Sequence, residues 1–235
     1  MVQSMTSVVY GANARRDRIG EIASLLQNKY PATNLGNKNN PLDELLFILL
    51  SLQTNEDLYI RSYTAFKKAF PKWDDVVNTK VSKIERVIQE SGLAKQKAVH
   101  IHSIAKKLRA DFGRVTLAPL RRMHSTEAER YLLSLPGVGI KTARCVLMYA
   151  LGHDVFPVDT HCARVMDRLQ LITWNGKRLE TVANAAQEIV PPDLRKHLHI
   201  LLVQHGRSVC RSKPNCYSCV LAATCPSALT QEDPK

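Results

Sequence analysis

Acidic side chains are in short supply. There are 21 Asp and Glu against 33 Lys and Arg, a formal charge of +12 at pH 7 with histidine neutral. That balance favours a polyanionic partner such as nucleic acid, although net charge does not say where on the surface the charge lies. Long apolar runs are missing too. None approaches the roughly 20 residues that a membrane span needs, so no membrane partner is expected. The first 20 residues hold no apolar core of signal-peptide length, so secretion is not expected. Arg15, Arg16 and Arg18, with Ser and Thr nearby, leave a cleaved organellar presequence open. Period-2 alternation is nowhere sustained, which makes the class all-α. There is no internal repeat, and no low-complexity tract beyond the polar tail at 230–235. Catalytic signatures are absent as well. The phosphate-loop spacing fails because Ile140 separates Gly139 from Lys141 and no strand precedes it, which argues against nucleotide binding. Neither a serine nucleophile elbow nor an H-E-x-x-H helix is found.

What is present is a succession of helical patterns, in a chain long enough for one large domain or two packed smaller ones. Ile19, Ile22, Ala23 and Leu26 recur at helical spacing before Pro31. Pro41 opens a helix whose run from Leu45 to Leu50 is apolar on nearly every side, as in the centre of a core. Amphipathic helices are read over 56–70, 95–112, 158–171, 178–190 and 194–207, with shorter ones over 73–77 and 82–90. Ser125 is the expected cap of a helix that runs into Leu135-Pro136-Gly137-Val138-Gly139-Ile140-Lys141-Thr142-Ala143. There a Pro/Gly hairpin leads at once into a further helix. Its glycines let backbone N–H groups approach a phosphate, toward which the helix dipole also points, and Lys141 occupies the first turn. An ordinary helix-to-helix turn with a solvent-facing lysine has the same local pattern.

Two further constellations bear on chemistry. Cys210, Cys216, Cys219 and Cys225 place four thiols within sixteen residues, while Cys145 and Cys162 stand alone as core-facing small hydrophobes. This distribution suits a metal site in a reducing compartment better than a disulfide framework. Four sulfurs select zinc or an iron–sulfur cluster. Zinc modules usually split their ligands into two separated pairs, which this loop does not, so the spacing tilts toward iron–sulfur. Arg207, Arg211 and Lys213 beside the ligands either meet a phosphate backbone or offset thiolate charge. Val158-Asp159-Thr160-His161 begins another helix, where an aspartate most commonly serves as N-cap and a histidine as a structural residue.

Taken together, Leu-Leu-Ser-Leu-Gln-Thr at 49–54, Ser91-Gly92-Leu93, the 135–143 hairpin, Val158-Asp159-Thr160-His161, His205-Gly206-Arg207 and the four-cysteine loop resemble the endonuclease III family of helix-hairpin-helix DNA glycosylases, in order and over nearly the whole chain. The resemblance implies a bilobal all-α fold. A six-helix lobe over 34–153 would carry the hairpin, and residues 1–33 with 154–235 would form a discontinuous cluster lobe, with DNA between them. It implies a bifunctional glycosylase and abasic-site lyase that removes oxidised pyrimidines from duplex DNA in base excision repair. Lys141 would be the nucleophile that forms a Schiff base, followed by β-elimination, and Asp159 the essential carboxylate. Gly137, Val138, Gly139, Arg211 and Lys213 would contact DNA, Gln53 would fill the gap left by a flipped nucleotide, and Leu93 would act as the wedge. The four cysteines would hold a [4Fe–4S] cluster. The expected partner is double-stranded DNA with a damaged base or abasic site, met by a monomer in a cytoplasmic setting, nucleoid-associated if bacterial, with organelle or nucleus left open.

The chain departs from the family pattern in three places. Five residues rather than six separate Cys210 from Cys216, Ala94-Lys95 follow Leu93 where a bulkier aromatic is common, and Leu45 to Leu52 is free of acids, which argues against an adenine-removing relative. Two other functions keep the same features: a non-catalytic or weakly catalytic damage-binding module, and a glycosylase for a mismatched or alkylated base.

Overall fold

The computed structural model describes residues 12–30, 34–176 and 178–228; the polar tail at 230–235 and the Ser and Thr of the first ten residues lie outside them. Among the described residues there are helices and turns but no strand, and the chain divides into two compact units, Asn34–Pro157 and Met1–Thr33 with Val158–Lys235. No helix among them is long and apolar enough to cross a membrane.

The first helix, α1 (Ala12–Lys29), belongs to the discontinuous unit. The continuous unit is built around α2 (Pro41–Ser51), which buries Leu42 and every residue from Glu44 to Leu50. The start of α2 follows from its sequence: the Asn40 side chain accepts from the Leu42 and Asp43 N–H groups at 2.9 and 3.2 Å, and Pro41 needs no donor partner at N1. Around it come α3 (Glu56–Ala69), the single turn α4 (Asp74–Val77), α5 (Val81–Val87), α6 (Ala94–Phe112), α7 (Ser125–Leu133) and α8 (Ile140–Val146). Fully buried Leu45, Leu46, Leu50, Phe66, Ile84, Ile101 and Leu108 form the core, each worth roughly 1.5–3 kcal/mol of transfer free energy.

Two local details differ from the sequence reading. The cap of α7 is His124, whose ring accepts from Thr126 N–H, while the Ser125 hydroxyl bonds to His153 Nδ1 at 3.0 Å. A capping hydroxyl was thus drawn away by a partner 28 residues distant. Beyond Val146 the hairpin helix widens into a π-turn, Leu147–Leu151, closed by Gly152 at φ +79°. Arg121 satisfies the carbonyls left over, donating to Ala150 O at 2.6 Å and Leu151 O at 3.2 Å.

In the discontinuous unit, α1 packs against α10 (Leu179–Ile189) and α11 (Arg195–Ser208), which in turn pack against α9 (Thr160–Arg168). Ile19 and Leu26 are fully buried, and Arg18 donates to Leu169 O at 2.7 Å. The cysteine loop follows α11.

Candidate functional site

Leu135, Pro136, Gly137 and Val138 form a tight turn closed by Val138 N–H donating to Leu135 O at 3.2 Å, with Pro at its second position and Gly137 at φ +76°, the type II pattern. A side chain at Gly137 would also run into the His100 ring. Gly139, extended and exposed, then supplies the backbone cap of α8 with no side chain over the helix start, and Lys141 follows, half-buried, in the first turn. The helices flanking the turn are locked at its base. Arg144 is 4 % exposed and its Nε donates to Glu129 Oε2 at 2.8 Å, joining α8 to α7.

Beside the turn lies a pocket lined by Leu49, Leu52, Gln53, Leu93, Gln96, Lys97, His100 and Gly137. The fold thus gathers Gln53, Leu93 and the hairpin glycine on one face of the continuous unit, from stretches far apart in the chain. Gln53 at φ 51° and Leu93 at φ 60° are both left-handed, a conformation costing a side-chain-bearing residue roughly 1–2 kcal/mol. Leu93 is 52 % exposed, an apolar side chain held out toward solvent. A side chain on Gly92 would stand 2.5 Å from the Gln53 carbonyl oxygen, so only glycine lets the two loops meet.

Glu44, at the start of α2, is wholly buried. Asn37 Nδ2 and Lys38 N–H donate to its two oxygens at 2.5 and 2.6 Å. Burial raises its pKa, opposed by those two hydrogen bonds and by the charges of Lys141 and Lys38.

In the other unit, Asp159 is the cap of α9, its Oδ1 accepting from Cys162 N–H at 2.8 Å. The cap reading of the sequence is therefore correct, and the same bond fixes where the carboxylate points. His161 packs against Gly206, where a Cβ would stand 2.8 Å from its own, and its Nδ1 lies 3.1 Å from Arg164 Nη2. Further along α9, Arg164 Nε donates to Cys210 O at 2.9 Å, and Arg168 donates to Arg211 O at 2.6 Å, Ser212 O at 2.9 Å and Cys210 Sγ at 3.2 Å. One helix therefore carries Asp159 at its start and grips the cysteine loop with two arginines.

All four loop cysteines line one cavity, together with Arg168, His205 and Leu221. None of the six cysteines in the chain is disulfide-bonded. Among the described residues no three His, Cys, Asp or Glu converge closely enough to share a single metal ion. Four thiols lining one cavity are a donor set of the kind that holds an iron–sulfur cluster. His205 is buried, its Nε2 3.6 Å from Cys219 Sγ and its Nδ1 3.1 Å from the Tyr30 hydroxyl. Burial and the nearby Lys29 hold its pKa down at about 4. Burial pushes the Cys219 and Cys225 thiols up, and the neighbouring cysteines add to it. Arg211 folds back to donate to Arg207 O at 2.9 Å, while Lys213 is exposed.

Residues 47–192 match the model of the HhH-GPD superfamily base excision DNA repair proteins. The endonuclease III of Escherichia coli K12 is 34 % identical over 209 residues, covering 84 % of this chain and 89 % of that protein. The chain belongs to the endonuclease III family. A provisionally named DNA glycosylase of Arabidopsis thaliana is 36 % identical over 210 residues, 87 % of this chain and 71 % of that protein. The solved structure of a trapped covalent endonuclease III–DNA intermediate, an estranged-adenine complex, superposes with a TM-score of 0.78 at 25 % identity, covering 91 % of this chain and 96 % of that one. As a member of the endonuclease III family the protein is a base-excision DNA glycosylase and abasic-site lyase, all-α as its sequence pattern requires.

This endonuclease III relative also contains buried or pocket-lining polar side chains that its sequence conceals. Lys97, His100, Glu44 and Arg144 carry no local mark, because a charged or polar residue in a helix ordinarily reads as solvated surface. The only hint lay in the neighbouring Ser91-Gly92, a glycine-stopped turn whose close approach to Gln53 becomes visible only in three dimensions.

Proposed function

We propose that the enzyme removes oxidised pyrimidines from duplex DNA and cuts the strand at the abasic site through Lys141. The observation that carries this reading is the placement of Lys141 in the turn of helix directly after the open Gly137–Gly139 hairpin, in the same unit as the Gln53–Leu93 pocket. A hairpin that holds the duplex by its phosphates fixes the register, and the next turn delivers an amine. The target base must leave the stack to be reached, and an apolar wedge with a polar gap-filler replaces it.

The side-chain nitrogen of Lys141 attacks C1′ of the extruded nucleotide through its lone pair. The N–C1′ bond forms as the glycosidic bond breaks, and the leaving base takes one proton from the resulting ammonium. The C1′–O4′ bond then opens, O4′ takes up the second nitrogen proton, and the imine forms. Removal of a C2′ proton then expels the 3′ phosphate by β-elimination. Asp159, its carboxylate oriented by the cap bond, stabilises positive charge developing on the sugar or takes up a proton. Cys210, Cys216, Cys219 and Cys225 are the residues that would hold a [4Fe–4S] cluster, whose contribution is to set the shape of a loop bearing Arg211 and Lys213 toward DNA. The acting species is proposed to be the monomer.

Borohydride trapping on abasic-site duplex DNA tests the chemistry: the wild type is expected to cross-link and Lys141→Ala to be silent. A folded Lys141→Ala protein that still cross-links would remove the role given to Lys141. A panel of duplexes with oxidised, mismatched and alkylated bases tests the substrate, with release of oxidised pyrimidines expected to be fastest.

A further inference from the structure

We propose that Lys97 is a positioning residue that braces Gln53 and Leu93 for insertion into the duplex, a role that rests on the base-extrusion reading above. Lys97 lies in the first turn of α6 and is 5 % exposed. Its ammonium donates to Leu50 O at 2.8 Å, Leu52 O at 2.7 Å, Thr54 Oγ1 at 2.9 Å and Ser91 Oγ at 2.8 Å.

The hydroxyl protons are committed elsewhere. Ser91 Oγ donates to Leu50 O at 3.2 Å and Thr54 Oγ1 to Leu52 O at 3.1 Å, which leaves oxygen lone pairs facing the lysine. Thr54 Oγ1 also accepts from Gly92 N–H at 3.1 Å. One cation therefore ties the end of α2 and the loop after it to the loop before α6. It sits where the last carbonyls of α2 lack helical partners and where the helix dipole is negative, so a positive charge is well placed. No carboxylate is among its hydrogen-bond partners, so the charge is balanced by carbonyl and hydroxyl dipoles.

The residues that gain from this are the two left-handed ones. Gln53 lies between Leu52 and Thr54, both gripped by Lys97, and Leu93 follows Ser91-Gly92, gripped by Lys97 and Thr54. Strained backbone persists only where surrounding structure over-determines it. Leu93, largely exposed, cannot hold its own φ by burial. When a side chain is pushed between base pairs the reaction force falls on that backbone. An unbraced loop would relax to right-handed φ and swing the side chain away.

The test compares Lys97→Met, which keeps the length of the side chain and removes its donors, with Lys97→Arg, which restores donors. Three measurements are made: the fluorescence of 2-aminopurine beside a lesion in duplex DNA, single-turnover base release from that duplex, and borohydride trapping on single-stranded abasic DNA, where nothing has to be displaced from a stack. Lys97→Met is expected to lose the fluorescence rise and to slow duplex base release about tenfold or more, while trapping on single-stranded DNA changes less than about threefold. Lys97→Arg should recover part of the duplex loss. Thr54→Val, which removes one acceptor and leaves the buried charge in place, is expected to give the same selective loss in milder form and serves if Lys97→Met does not fold. Equal losses on duplex and single-stranded DNA, or none on duplex, would overturn the proposal. Failure of the wild type to trap or release base would instead count against the proposed chemistry, since the fluorescence signal reports insertion without it.

Discussion

At the scale of single residues, Asp159 caps α9 through Cys162 N–H, and the proposed function gives the same carboxylate a second job that depends on the orientation so fixed. The two roles separate on substitution. Asparagine caps a helix about as well as aspartate, whereas alanine costs roughly 0.5–2 kcal/mol. Asp159→Asn is therefore expected to unfold in urea at nearly the wild-type midpoint yet to lose most base release, while Asp159→Ala loses both. An Asp159→Asn protein of full activity would show that the charge is not needed.

At the scale of elements, α2 shows what could be read and what could not. Its start follows from Pro41 and its central burial from the continuous apolar run, and the hairpin before α8 follows equally from Pro136 and its two glycines. Glu44 did not stand out, because an acid in a first helical turn is ordinarily a solvated partner of the helix dipole. Its burial comes from the preceding loop, where Asn37 and Lys38 fold over it. Lys97 was hidden for the same kind of reason: its acceptors lie 6 to 47 residues away, and no local period records them. The buried Glu44 also has a consequence in pH. A carboxyl whose folded pKa is raised above its ordinary value of 4.5 contributes its full stability below that value and loses it as pH rises through the folded one. Glu44→Gln removes the buried charge, and its amide can donate to Asn37 Oδ1, which has no partner among the described residues, once that side chain turns over. Urea midpoints should show Glu44→Gln more stable than the wild type near pH 8, the gain shrinking as pH falls toward 4.5. A constant difference across that range would mean that Glu44 is not the titrating group.

At the scale of the whole molecule, one feature of the division stands out: α1 is separated by residues 34–157 from α10 and α11, the helices it packs against. Local opening should respect packing rather than sequence. In native-state hydrogen exchange at low denaturant, amides of α1 are expected to open together with those of α10 and α11. Exchange of α1 in step with α2, its neighbour along the chain, would contradict that grouping.

The same arrangement dictates an order of assembly. As the chain leaves the ribosome, α1, with Ile19 and Leu26 buried in the fold, emerges before α10 and α11, the helices it packs against, which lie beyond residue 157. The continuous unit that follows has its whole core available from local sequence and can condense first. Once it has done so, the many residues between α1 and α9 no longer behave as a long floppy loop, because the ends of a folded insert have little freedom left to lose, so the entropic cost of joining them falls. Until then the apolar stripe of α1 waits for α10 and α11, and transiently exposed apolar surface of this kind is prone to aggregation.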